Sequence, residues 1–250
     1  MSDWIHAASL VAAAFVGGSL NSVAGGGSFF TFPALLLCGI SPIAANATST
    51  VALWPGSLAS AWAYRRDVGG ARSVLAPLAA SSLVGGGVGA VALLWTRNET
   101  FARAVPWLLL FATLLFASSA RAVAWLRARQ SHSLHPALLV GGHFLIAVYG
   151  GYFGGGMGIL MLAAYALAGL GDIHAMNGLK SLLGAAINGA AVLTFVVADR
   201  VVWQEAGIMV AGSVAGGYFG ARVARRVNAL YIRRFVIVTG AVLTLKFFAA

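Results

Sequence analysis

Two glycine triplets, at residues 25–27 and 154–156, interrupt apolar stretches of the sequence about 130 residues apart. Each triplet is followed by a short apolar run and then by a polar segment that begins with asparagine, at residues 46–50 and 177–181. Lipid cannot satisfy the N–H and C=O groups of backbone that stops being helical, so such breaks must line water or lie inside protein. Two breaks at corresponding places in two halves of a chain are typical of a transporter's substrate site.

The composition agrees with a chain that lies in a membrane. Of its 250 residues, 60% are apolar and 9% are charged, whereas a water-soluble domain has about a quarter of its residues charged. The net charge of +10 comes from Arg and Lys residues placed between apolar stretches. This placement differs from a basic face on a soluble domain, so nucleic acid is not an expected partner. The single cysteine, Cys38, excludes a disulfide framework or a thiolate metal site within one chain, and we expect no cofactor.

The apolar runs predict an all-α integral membrane protein, a polytopic helix bundle that forms a single domain over residues 1–250. About eight runs have the length of about 20 residues that a membrane-spanning helix needs. They cover residues 5–24, 44–64, 74–95, 104–126, 136–153, 176–198, 205–222 and 230–248. Two shorter runs, at 28–40 and 157–170, cover only about 20 Å of a hydrocarbon core about 30 Å thick. We expect these two to be broken or re-entrant half-helices.

The distribution of arginine predicts the orientation of the chain. Residues 65–72, 121–129 and 222–234 are rich in arginine, and residues 97–103 and 199–205 are close to neutral. By the positive-inside rule the arginine-rich segments are cytoplasmic, which places the N-terminus outside. The second half of the chain then crosses in the opposite sense to the first. The halves, about 5–126 and 136–248, are predicted to be an inverted repeat, which favours alternating access to a site at mid-membrane.

The two breaks predict an anion site. A helix that begins just after a break presents its free N-terminal amides and the positive end of its dipole to the gap. Neutral polar residues flank both breaks and together predict its lining, although each alone is more typical of a helix cap or an interhelical hydrogen bond. They are Asn21, Ser22, Ser28, Asn46, Thr48, Ser49 and Thr50 in the first half, and Tyr152, Asn177, Ser181 and Asn188 in the second.

Lys180 is the most informative single residue, because it lies in an apolar neighbourhood near the start of a predicted span. An ionisable residue within a span indicates function; the alternative is a side chain that extends to the lipid headgroups. We interpret Lys180 as a group that binds an anion or couples transport to protons. The six acidic residues fall in loops or at span ends, which argues against a cation transporter. His143 and His174 are interpreted as hydrogen-bonded structural histidines rather than proton relays.

Other features are interpreted as structural. The glycines at 85–87 and at 212, 216 and 220 are typical of close helix packing. Pro55 predicts a kink beside Trp54, with packing favoured over a gating role. The sequence contains neither a His-Glu-x-x-His nor a Gly-x-Ser-x-Gly motif, so we do not expect an enzyme.

The stretch from Ala24 to Arg66, which begins Ala-Gly-Gly-Gly-Ser-Phe-Phe-Thr-Phe-Pro, closely resembles the first repeat of the TauE/SafE sulfite exporter family, and residues 150–195 resemble its second repeat. The resemblance implies a multi-pass permease of the bacterial cytoplasmic (inner) membrane that moves, and usually exports, a small sulfur-containing or organic anion such as sulfite or a sulfonate. It points to Gly25, Gly26, Gly27, Pro33, Asn46 and Thr48, and to Gly154, Gly155, Gly156, Asn177 and Lys180.

The predicted function is therefore that of a secondary transporter whose partners are membrane lipid and a small anion. A coupling proton or ion, the direction of transport and the oligomeric state stay open at this point. A passive anion channel and a non-transporting membrane scaffold are the alternatives. A channel would show flux that does not saturate, and a scaffold would have no water-accessible gap between the breaks.

Overall fold

The computed structural model describes residues 3–23, 25–65, 72–129, 135–170, 173–223 and 229–249. These residues form ten α-helices and include no β-strand. The helices are α1 (Asp3–Val23), α2 (Ser28–Leu37), α3 (Pro42–Ala63), α4 (Arg72–Trp95), α5 (Asn98–Arg129), α6 (Pro136–Tyr152), α7 (Met157–Leu167), α8 (Ile173–Val197), α9 (Trp203–Val223) and α10 (Ala229–Phe248). The predicted all-helical architecture is confirmed.

The two short helices begin where the glycine triplets predict. Helix α2 has 10 residues and α7 has 11, in place of the predicted runs at 28–40 and 157–170. The turn before α7 contains Gly154 and Gly156, both with φ of +78°. Only glycine adopts this left-handed conformation without strain, so the triplet ends α6 and lets α7 start in a new direction.

Four helices are long and apolar enough to cross a membrane over the residues Trp4–Ser22, Val74–Trp95, Asn98–Ser118 and Ala175–Val197. Helices α3, α9 and α10 reach 22, 21 and 20 residues without a comparably apolar stretch among the described residues. Helix α6 has 17 residues, so the predicted span at 136–153 is shorter than the length that usually crosses the hydrocarbon core. Eight crossings therefore remain a prediction.

The bundle exposes large apolar side chains over its outer surface. Trp4 is 87% exposed, Trp95 85%, Val197 86% and Leu245 70%. A soluble protein rarely exposes apolar surface on this scale, whereas lipid favours it. The exposed tryptophans Trp4, Trp95 and Trp203 lie at or near helix ends, as expected for residues at the membrane–water interface. The surface is that of a multi-pass membrane protein.

Glycines bring α9 directly against α1. A Cβ at Gly212 would meet the backbone of Val11, and one at Gly216 would meet the backbone of Phe15. Because both numbers rise together, the two helices run in the same direction. Helices α4 and α6 pack in the same parallel way through glycines in the segment 85–89. The packing role predicted for these glycines is confirmed, except at Gly87, which has no neighbour within 4 Å.

Helices α3 and α8 cross in the middle of the bundle and run in opposite directions. The Trp54 indole Nε1 donates a hydrogen bond of 2.9 Å to the carbonyl oxygen of Ala185. The hydroxyls of Ser60 and Ser181 lie 3.3 Å apart. The residue number falls along α8 as it rises along α3, so the two helices are antiparallel.

The residues that carry the predicted orientation are only partly described. Arg65 is exposed at the end of α3. Arg66, Asp67, Arg225 and Arg226 lie outside the described residues, as do the side chains in the arginine-rich part of α5. The side of the membrane that each end faces therefore stays a prediction.

Candidate functional site

The two glycine breaks meet in the folded chain. Gly25 has a φ of +73°, and a Cβ on it would lie 2.5 Å from Cα and 2.7 Å from N of Gly158, in the first turn of α7. Glycine is required at position 25 for both its conformation and this approach, because a side chain there would overlap main-chain atoms. Two segments about 130 residues apart in the sequence are therefore in direct contact in the structure.

Asn21 stabilises the backbone conformation of the first break, residues 25–27, through a hydrogen bond. Its Oδ1 accepts a hydrogen bond of 2.9 Å from the amide of Gly27, so an amide of the break is already satisfied by protein. Thr31 of α2 lies 2.6 Å from Ser49 of α3 through their hydroxyls. These contacts fix α2 between α1 and α3. No residue of α2 lines the cavity described next.

A cavity of about 30 Å³ lies beside the contact between the breaks. Water needs roughly 10–15 Å³ on this measure, so the cavity has room for about two water molecules. Its walls come from α1, α3, α7 and α8. Six polar side chains contribute to the wall: Asn21, Ser57, Ser60, Lys180, Ser181 and Asn188. Met157 and Met161 supply apolar surface, and the remaining lining comes from Gly25, Gly158, Gly184 and Ala185.

Lys180 is the one charged residue among the described residues that line the cavity. Its side chain is only 3% exposed, and Nζ donates a hydrogen bond of 3.0 Å to the carbonyl oxygen of Ser22. An ammonium group has three donors, and among the described residues this one has a single acceptor. Among the described residues, no carboxylate lines the cavity. An ammonium buried there without a counter-charge would cost several kcal/mol, roughly.

Helical spacing explains why these residues share a wall. Ser181, Gly184, Ala185 and Asn188 recur at three- and four-residue intervals along α8, which places them on one face. Ser57 and Ser60 have the same spacing on α3. The small residue at 184 keeps this face of α8 open beside Lys180.

The structure brings five of the predicted site residues to the cavity: Asn21, Gly25, Lys180, Ser181 and Asn188. Ser22 contributes through its carbonyl oxygen, which binds Lys180. Of the two half-helix N-termini expected at the site, only that of α7 lines it, through Met157 and Gly158. The first turn of α2 contributes no residue to the described lining.

Several predicted residues make interhelical contacts instead. The Asn46 amide donates to the carbonyl oxygen of Tyr152 at 3.3 Å, and Thr48 Oγ1 accepts from the amide of Val202 at 2.9 Å. Ser49 bonds to α2 as described. Outside the cavity lining lie Gly26, Gly27, Ser28, Asn46, Thr48, Ser49, Tyr152, Gly154, Gly155, Gly156 and Asn177.

The sequence did not predict Ser57, Ser60, Met157, Gly158 and Met161 as lining residues. Two serines spaced three residues apart after Pro55 were a usable signal for α3, because small polar side chains on one helix face are typical of a membrane protein's interior. The methionines gave no such signal, since they are ordinary in an apolar helix.

Comparison with known proteins places this architecture in a family. The family model described as sulfite exporter TauE/SafE matches residues 10–247. The probable membrane transporter protein YfcA of Escherichia coli K12 is 29% identical over 235 residues, which cover 93% of this chain and 86% of that protein.

Two further relatives have the same breadth of match. The probable membrane transporter protein ORF9 of a Sinorhizobium species is 29% identical, covering 96% of this chain and 91% of its own length. A probable membrane transporter protein of Haemophilus influenzae is 28% identical, covering 93% and 90%. No solved structure gives a significant match. The chain belongs to the TauE/SafE sulfite exporter family of membrane transporters.

Proposed function

We propose that this protein is a secondary transporter that moves a small anion across the bacterial cytoplasmic membrane, and that the anion binds in the cavity beside Lys180. The observation that carries the proposal is the buried side chain of Lys180 among neutral polar side chains of the described lining, at the place where the two breaks meet. A site of this kind attracts a negative solute and offers a cation no acidic ligand.

The lining favours a small oxyanion. Lys180 supplies positive charge, the hydroxyls of Ser60 and Ser181 donate or accept, and the amides of Asn21 and Asn188 add directional donors. Charge-assisted hydrogen bonds of this kind are the strong ones. Sulfite, a sulfonate or a related organic anion fits this chemistry, and the family makes export the expected direction.

The packing of the helices supports an inverted repeat of α1–α5 and α6–α10. Helix α1 runs parallel to α9, and its counterpart α6 runs parallel to α4, the counterpart of α9. Trp54 and Ala185 meet at the crossing of α3 and α8. Asn46 and Asn177, which begin the corresponding polar segments of the two halves, are separated by the same number of residues. Equivalent helices that cross antiparallel at equivalent positions are expected for a two-fold axis in the membrane plane.

This arrangement provides a mechanism of alternating access. The two halves rock against each other about the α3–α8 crossing, and the cavity beside that crossing opens first to one side and then to the other. With the N-terminus outside and Arg65 inside, the chain crosses the lipid an odd number of times between them. Helices α1, α2 and α3 therefore make either three passes or one pass and a hairpin, and α6, α7 and α8 do the same in the second half.

Uptake of labelled sulfite, with sulfonates and small carboxylates as competitors, into proteoliposomes tests this function. The wild-type protein should give saturable flux, Lys180→Ala should lose most of it, and Lys246→Ala should keep it. Lys246 is the chain's other lysine and is exposed near the end of α10. Flux that does not saturate would indicate a channel, and no flux of any tested anion would indicate a scaffold.

A further inference from the structure

A second buried polar cluster lies behind the wall of the cavity. His143 of α6 is fully buried, and its Nε2 lies 2.8 Å from the hydroxyl oxygen of Ser82 on α4. Its ring also stacks on Tyr165 of α7, with centroids 6.0 Å apart and planes inclined by 24°. The hydrogen bond expected for His143 from the sequence is confirmed. Its surroundings indicate a role in addition to helix packing.

The hydrogen bonds fix the tautomer of His143. The Ser82 hydroxyl donates its one proton to the carbonyl oxygen of Leu78 at 2.8 Å. Its oxygen can therefore only accept from His143, so Nε2 carries the imidazole proton. Nδ1 is then a bare lone pair, and it has no hydrogen-bond partner among the described residues. Nδ1 of His143 is therefore a buried atom that can accept a proton.

Packing alone does not account for these residues. The Tyr165 hydroxyl is also buried without a hydrogen-bond partner among the described residues. Each such group costs about 1–3 kcal/mol, and Leu and Phe at the two positions would avoid that cost. An ionisable residue retained inside a membrane bundle at such a cost indicates function.

The cluster is connected to the cavity through α7. Tyr165 lies one helical turn beyond Met161, which lines the cavity. The described parts of α4, α6, α7 and α8 contain no carboxylate. Among their titratable groups, Tyr149 donates to the carbonyl oxygen of Gly155 and Lys180 faces the cavity.

We propose that Nδ1 of His143 is the proton-coupling site of this transporter. This inference rests on the proposed anion transport. A proton from water forms the Nδ1–H bond and turns the imidazole into imidazolium, and the same bond breaks when the proton leaves on the other side. The ammonium of Lys180 repels that imidazolium, and a bound anion neutralises the ammonium. Anion and proton therefore stabilise each other's binding, with reciprocal effects.

The test compares His143→Gln with His135→Gln in proteoliposomes, using ³⁵S-sulfite and an internal pH dye. Gln can still donate to Ser82 but cannot take up a proton, and His135 is an exposed histidine at the start of α6. Both variants experience the same titration of sulfite itself, so the difference between them reports on the protein.

From about pH 7 to about pH 4, the range in which a histidine buried away from water titrates, the apparent sulfite affinity of wild type and His135→Gln should rise about 5-fold or more. His143→Gln should lose this rise and the accompanying proton flux, and keep exchange of labelled for unlabelled sulfite. A retained rise and proton flux in His143→Gln would overturn the coupling site and leave the transporter standing. No sulfite flux in the wild type would overturn both.

A second variant, Ser82→Ala, tests the proposal if the His143→Gln protein does not fold. Ser82→Ala removes the acceptor that fixes the tautomer, so the midpoint of the pH dependence should move while exchange persists. An unchanged midpoint in a folded Ser82→Ala protein would overturn the proposal.

Discussion

Lys180 of α8 donates a 3.0 Å hydrogen bond to the carbonyl oxygen of Ser22, near the end of α1. The bond joins the second half of the chain to the first at the edge of the cavity. An ammonium group has three donors, so Lys180 can hold this carbonyl and a bound anion at the same time. In the proposed mechanism, one side chain then contacts both the solute and the other half of the chain.

Lys180→Met should abolish anion binding and leave the protein at least as stable as the wild type. Replacement of a buried, unpaired charge by an apolar side chain of similar shape is often neutral or stabilising by about 1–4 kcal/mol. The measurement is the midpoint of thermal unfolding in detergent, with and without sulfite. Sulfite should raise the midpoint of the wild type and of Lys246→Met only; a shift of equal size in Lys180→Met would remove Lys180 from the site.

Gly25→Ala should be more destabilising than Gly39→Ala. Both glycines have positive φ, +73° and +82°, but a Cβ at Gly39 has no neighbour within 4 Å. The strained conformation costs each variant about 1–2 kcal/mol, and the overlap with Gly158 should add about 1–3 kcal/mol at position 25. Equal losses of thermal stability would show that the two breaks are not in contact.

Trp54→Phe should weaken the crossing of α3 and α8. The change removes the indole N–H that bonds to Ala185, worth about 0.5–1.5 kcal/mol. Trp62→Phe is the matched control, since Trp62 is 65% exposed and a substitution there should stay within about 0.5 kcal/mol. Thermal stability and the rate of sulfite exchange should both change in the first variant only, and an unaltered exchange rate would argue against a pivot at Trp54.

Single cysteines at Arg65 and Asp199 should react with a membrane-impermeant maleimide from opposite sides of the membrane. Both side chains are exposed at helix ends, and Cys38→Ser provides the background. Position 199 should label in intact cells and position 65 only in inverted vesicles. The reverse result would place the N-terminus inside and would contradict the predicted orientation.

The breaks were predictable because glycine leaves a signal in the local sequence. The two short helices followed from the triplets, and Lys180 stood out as a charge in an apolar stretch. For Ser57 and Ser60 the sequence offered only their three-residue spacing, because it is the crossing of α3 with α8 that turns their face toward the cavity. The polar residues Asn46, Thr48 and Ser49 were assigned to the site, and they bond to Tyr152, Val202 and Thr31 instead. Sequence identifies polar residues in a helix, but tertiary packing decides which face meets solute.

The approach of Gly25 to Gly158 leaves no room for even a methyl group between the two main chains. The partners in this contact are peptide units, which cannot move aside by changing rotamer as side chains do. In the proposed mechanism, a passage at this point opens only when one whole segment slides or lifts away from the other. Opening at this contact therefore requires the motion of complete helices and not only of side chains.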